Sequence, residues 1–102
     1  MNEWVFGGEL FRLNELEGEF GASLRIRGSS RRGGASQICE LSCLVPQDVF
    51  EDFRRRMVTR YDRISVKGHV ETWQRQHGEK VNVKQMFIVD ELIEVKKKGV
   101  RA

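Results

Sequence analysis

The sequence predicts an all-β fold: five strands closed into a barrel, with one helix between strands three and four. Three observations predict it. From Phe20 to Arg27 the chain alternates with a period of two: Phe20, Ala22, Leu24 and Ile26 against Gly21, Ser23, Arg25 and Arg27. The only proline, Pro46, opens the one stretch with helical spacing, where Val49, Phe50, Phe53 and Met57 share a face. Beyond that stretch alternation resumes in two segments separated by His77-Gly78, a hairpin signal. At 102 residues the chain makes one domain around one core.

Taken in order, residues 3–13 (EWVFGGELFRL) form a strand that bends at Gly7-Gly8. An acidic connection over 14–19 leads to strand two, and 28–35 (GSSRRGGA) is a flexible hairpin tip. Strand three, 36–45, points Cys39, Leu41, Cys43 and Val45 inward and Ile38, Glu40 and Ser42 outward. The helix covers 47–58. Asp48, Glu51 and Asp52 lie early and Arg54, Arg55 and Arg56 late, which suits its dipole. The arginine run is read as ordinary pairs, Glu51–Arg55 and Asp52–Arg56, on a wet face.

Strand four turns Ile64, Val66, Gly68, Val70 and Thr72 inward and Ser65, Lys67, His69, Glu71 and Trp73 outward; 79–89 returns beside it. A two-residue turn flanked by Gln76 and Glu79 would set Val83 beside Thr72, Phe87 over Gly68 and Val89 beside Val66. It would also set Glu71 opposite Lys84. Three strands, a helix and two strands are the layout of an OB barrel, whose helix plugs one end. The OB domain then spans 1–95, and 96–102 is a frayed basic tail.

Composition narrows the function. Hydrophobic residues are 39% and charged ones 32%, a folded soluble balance. No apolar run approaches the roughly 20 residues of a membrane helix, and the N-terminus lacks the basic region of a signal peptide, so a cytoplasmic location is expected. Net charge is +3, unevenly spread. Residues 1–19 hold five acids against Arg12 alone, whereas 20–37 hold Arg25, Arg27, Arg31 and Arg32 with no acid. That segregation makes a positive face suited to a phosphate backbone. Cys39 and Cys43, four apart on one strand, stand about 13 Å from each other, too far for a disulfide. Both are expected to be buried thiols. His69 and His77 stand alone, so neither metal nor cofactor is expected. No nucleophile–base pair or phosphate loop is present, and Gly28 to Gly34 joins two strands, so the chain is read as a non-enzyme.

With these elements in place, the sequence resembles the bacterial single-stranded-DNA-binding protein family, including its short primosomal-type relatives. The resemblance is carried by DRISVKGHVETWQRQHGEKVNVKQMFIVDELIEV, from Asp62 to Val95, similar to the family's last hairpin. Val5-Phe6-Gly7-Gly8-Glu9-Leu10 resembles its first strand. The resemblance implies sequence-tolerant binding of single-stranded DNA in replication, repair or recombination, by a homodimer or homotetramer. Two departures qualify it. The chain ends in a basic KKKGVRA, where typical cellular members carry a long tail ending in acidic residues and a phenylalanine. Outward aromatics on strands two and three, where the family often stacks bases, are missing. A short accessory, primosomal, phage or mobile-element version is therefore expected.

Single-strand binding needs basic residues for phosphates and flat side chains for bases. Trp73, outward at the end of strand four, is the candidate platform. Arg25 and Arg27, leading to Arg31 and Arg32, supply charge on one hairpin; Lys67, Arg75 and Lys80 supply it on the other. Lys84 is discounted as the partner of Glu71. Trp4 and Phe6, with Val5 between them, and the outward Met86 and Ile88 are expected to meet another copy of the chain. Two other readings stay open: a structural OB subunit that touches no nucleic acid, which Met86 and Ile88 favour, and an RNA-binding OB domain.

Overall fold

The computed structural model describes residues 2–32 and 35–98, with side chains apart from those of 29–37. The elements are β1 (Glu3–Glu15), β2 (Phe20–Arg32), β3 (Ala35–Pro46), α1 (Gln47–Arg55), β4 (Arg63–His77) and β5 (Lys80–Lys96). They close into a barrel in the order β1-β2-β3-β5-β4. Every neighbouring pair is antiparallel except the closing seam, where Leu44 of β3 lies parallel to Ile88 of β5. The expected five-stranded barrel with its helix between β3 and β4 is what forms.

β1 serves two partners. Glu3 to Glu9 pair with β4, and Glu9 to Glu15 pair with β2. The change of partner needs the bend at Gly7-Gly8. There β1 runs so close to β2 that a Cβ on Gly8 would overlap the Arg27 carbonyl. Inside the barrel lie Leu10, Ala22, Leu24, Ile26, Cys43, Val45, Ile64, Val66, Val89 and Leu92. α1 closes one end with Phe50 and Phe53.

Pro46 caps α1, and the helix stops at Arg55 rather than near 58. Met57 takes φ 57°, its N–H bonding the Arg54 carbonyl while Val58 N–H bonds that of Phe53. This Schellman stop replaces the expected last turn. Met57 is thrown out to 72% exposure, and Val58 enters the core in its place. Of the expected helix pairs, Asp52–Arg56 forms at 3.2 Å, whereas Glu51 takes Arg54 at 2.8 Å instead of Arg55.

The β4–β5 hairpin is present, with its turn one residue later than expected. His77 and Lys80 flank Gly78-Glu79, and Gly78 adopts the φ of 60° that such a turn requires. The register therefore moves by two, which preserves every face but changes the partners. Val89 lies beside Gly68, Phe87 beside Val70, and Glu71 opposite Met86, so the expected Glu71–Lys84 pair is not made. Trp4, not Phe87, covers Gly68; Phe87 meets the Trp4 ring edge-on at 5.9 Å. Two bulges in this ladder let Val89, Leu92 and Val95 all turn inward at intervals of three.

Both hairpins outrun the barrel. β2 and β3 stay paired as far as Arg32 and Ala35, so most of the expected 28–35 loop is ladder. On this ribbon Cys39 is exposed rather than buried. A bulge between Phe20 and Ala22 breaks the alternation, and Phe20, expected inside, is only half-buried and outside the core cluster. The tail expected to fray from Lys96 is held: Lys96 ends β5, Lys97 Nζ donates to the buried Asp62 at 2.9 Å, and Lys98 N–H donates to it at 3.0 Å. Residues 99–102 lie outside the described residues.

Candidate nucleic-acid interface

The outward positions of β1, β2 and β3 come together as a groove of about 300 Å³. Arg12 and Asn14 line it from β1, Ser23 and Arg25 from β2, and Ser42 and Leu44 from β3; Met86 of β5 forms a wall. Arg25 reaches across to Ser42 Oγ at 3.4 Å. Among the described residues, neither Arg12 nor Arg25 has a carboxylate partner. The groove thus offers two uncompensated guanidiniums, short polar side chains and an apolar wall.

Trp73 stands beyond the Met86 end. On the protruding β4–β5 ribbon, Trp73 lies opposite Lys84, Arg75 opposite Asn82, and His77 opposite Lys80. Cross-strand partners share a face, so this face is aromatic and basic. The reverse face, with Thr72, Gln74, Gln76, Val81, Val83 and Gln85, carries no charge. The Trp73 ring rests against Phe20 with centroids 5.9 Å apart and planes tilted by 39°. It keeps 40% exposure, and its Nε1–H donates to Glu71 Oε1 at 3.1 Å. Phe20 is the aromatic that sequence reasoning missed. Nothing in the period-two pattern signals the bulge that turns it out.

The other basic candidates differ in state. Arg27 donates to Glu40 at 2.9 Å and lies 4.2 Å over the Phe11 ring. Both partners of that ion pair are about 40% exposed, so it is worth at most about 1 kcal/mol and a phosphate can replace it. Lys67 pairs with Glu3 at 3.8 Å and does not line the groove. Arg75 and Lys80 are exposed on the ribbon, without a carboxylate partner among the described residues. The side chains of Arg31 and Arg32 lie outside the described residues.

Glu71 also accepts from His69 Nε2 at 2.7 Å, while His69 Nδ1 lies 2.8 Å from Asp90 Oδ1. The bond from His69, and then that from Trp73, hold the Glu71 carboxyl below its ordinary pKa. The bonds to Glu71 and Asp90 raise that of His69. Cys43, at the groove floor, is a poor nucleophile, since burial pushes its thiol up to about 12.

Of the residues expected to meet another copy, Trp4 and Phe6 are partly buried against the core and Ile88 is 2% exposed. Met86 belongs to the groove. The most exposed apolar residues are others, chiefly Val5, Ile38, Met57, Val81 and Val83.

A closed five-stranded barrel plugged by one helix, with a basic groove leading to an aromatic pair, is an OB-fold protein. No protein-family model and no curated protein matches the sequence. Among solved structures the chain is similar to a small single-stranded DNA binding protein from Mycoplasma pneumoniae. The identity is 15%, coverage is 98% of this chain and 99% of that one, and the TM-score is 0.65. It is also similar to a mitochondrial single-stranded DNA binding protein from S. cerevisiae (14% identity, 94% and 98% covered, TM-score 0.66). A third is the Plasmodium falciparum SSB in complex with ssDNA (13% identity, 92% and 96% covered, TM-score 0.60). At these identities the likeness is one of fold. Among the described residues, no helix is long and apolar enough to cross a membrane.

Proposed function

We propose that this chain binds single-stranded DNA with little regard to sequence, as a non-catalytic protein of replication, repair or recombination. The observation that carries the reading is the groove in which Arg12 and Arg25 have no carboxylate partner among the described residues, leading to the half-open Trp73–Phe20 pair. Phosphates repeat along a strand and every base has a flat face, so such a groove accepts any sequence. The single-stranded-DNA binding named for three proteins of the same fold supports it.

Titration with labelled oligo-dT tests it. Trp73→Ala is expected to weaken binding by about 1–3 kcal/mol. Arg25→Ala is expected to lower affinity for all sequences alike and to reduce the log–log salt slope by roughly 0.7. Saturating oligo-dT is expected to quench Trp73, while Trp4, laid over Gly68, keeps its emission. Absence of length-dependent binding at about 100 mM salt overturns the reading, because a basic patch alone gives only weak attraction.

The uncharged ribbon face with Val81 and Val83, together with Val5, supports self-association as a homodimer or homotetramer. Sedimentation at micromolar concentration is expected to show a species larger than the 11.9 kDa chain. A single monomeric boundary refutes it.

A further inference from the structure

We propose that His69, as an imidazolium between Asp90 and Glu71, is the positioning residue of Trp73, so that affinity for single-stranded DNA falls as His69 loses its proton. The proposal rests on the groove reading above and adds a residue that touches no ligand itself.

The spacing His69-x-Glu71-x-Trp73 puts three side chains in a row on the outer face of β4. The fourth member arrives by a bulge. Gly68 pairs with Val89 and Lys67 with Glu91, which leaves Asp90 as the extra residue on β5. A bulge re-aims a side chain, and here Val89 can stay fully buried while the Asp90 carboxylate turns out to His69.

The contacts fix the proton count. His69 Nδ1 is 2.8 and 2.9 Å from the two Asp90 oxygens, and Nε2 is 2.7 Å from Glu71 Oε2. Carboxylate oxygens only accept, so both ring nitrogens must donate, and only the imidazolium carries two N–H groups. Glu71 uses its other oxygen, Oε1, to accept from Trp73 Nε1 at 3.1 Å. The chain Asp90–His69–Glu71–Trp73 therefore ties the indole to a charged histidine.

The other charges nearby do not replace it. Glu3, the β1 neighbour of His69, is paired with Lys67 at 3.8 Å; Glu91 lies opposite Lys67, and Lys84 opposite Trp73. When His69 becomes neutral, one of its two bonds is lost and Asp90 and Glu71 face each other without a cation between them. Glu71 is then no longer fixed by the imidazolium, so the indole it accepts from is held less firmly and must be ordered when a base stacks on it.

The sign follows from the direction of the shift. Two carboxylates raise the His69 pKa, so the arrangement is complete below the ordinary histidine value of about 6.5. It is lost as pH rises through the higher folded value.

The test is oligo-dT affinity between about pH 6 and about pH 9, in a His77→Gln background so that the other histidine does not contribute. Affinity is expected to fall about three- to tenfold over that range, the size of ordering one side chain on binding. His69→Gln is expected to bind like the high-pH protein at every pH. Trp73→Ala is expected to bind more weakly and to lose the pH dependence. A flat profile in the His77→Gln protein overturns the proposal while leaving DNA binding intact. A pH dependence that survives Trp73→Ala also overturns it, because the histidine would then act by its charge alone. Failure to bind oligo-dT at any pH removes the groove reading and this inference with it.

Discussion

Gly68→Ala is expected to destabilise the protein by about 3 kcal/mol or more, at the top of the range for overpacking a core. A Cβ at this position would overlap the Ile88 carbonyl oxygen and stand 2.5 Å from Trp4 Cζ2. The first obstacle is backbone in the adjacent strand of the barrel, so no rotamer change relieves it. The second is a ring that itself packs on Phe87 and the core. Trp4→Leu in the same chain is therefore expected to rescue Gly68→Ala only in part. Gly78→Ala is the control. Its space is open, and the only penalty is a left-handed φ of 60°, worth about 1–2 kcal/mol. Urea denaturation decides the order. A Gly68→Ala variant less destabilised than Gly78→Ala contradicts the seating of Trp4 over β4.

Asp62→Ala is expected to cost about 3 kcal/mol, because a buried carboxylate is the common acceptor of two chain segments. Asp62 is 1% exposed. It takes the Thr59 N–H at 2.9 Å and hydroxyl at 3.3 Å, the Lys98 N–H at 3.0 Å and the Lys97 ammonium at 2.9 Å. Lys97 also donates to the Met57 carbonyl. The carboxylate thus ties the turn after α1 to the end of β5. Removing it leaves two backbone donors without acceptors. Lys97 is 39% exposed and loses less, since water can solvate it.

The same residue predicts acid sensitivity. Burial alone would raise the Asp62 carboxyl, but the bonds from the Lys98 and Thr59 backbones and from Lys97 outweigh it and hold the pKa below the ordinary value. Its contribution is therefore complete above about pH 4 and is lost as pH falls through the lower folded value. Asp62→Asn is expected to be destabilised by about 1–2 kcal/mol at neutral pH, having lost charge-assisted bonds but kept an acceptor. Its difference from the natural chain is expected to shrink toward pH 3. Denaturation curves at several pH values test this, and a constant difference across them rules out the charged form as the stabilising one.

The candidate site was partly legible in the residues. Trp73 was readable because alternation from Ile64 onward fixes its face. Arg25 was readable for the same reason, being flanked by the core residues Leu24 and Ile26. Phe20 was misplaced and Arg12 overlooked, because each follows or adjoins a bulge, and a bulge is set by the partner strand. Arg27 reads as a free cation in an acid-free stretch, yet Glu40 arrives opposite it from β3. Trp4, Phe6 and Ile88 read as surplus apolar residues, whereas the fold buries Ile88 and packs Trp4 and Phe6, partly buried, against the core.

By itself the sequence determined five strands, the helix after Pro46, the hairpin near Gly78, the inward set of β4 and the outward Trp73. These are local properties, written in periods of 2 and 3.6 and in the backbone freedom of glycine and proline. Only the tertiary structure decided that Trp4 covers Gly68, that Asp90 completes a chain from His69 to Trp73, and that Lys97 and Lys98 close on Asp62. The reason is physical. Each is a contact between segments far apart in the chain, and its geometry depends on strand order and on single extra residues, which reverse the face of everything beyond them.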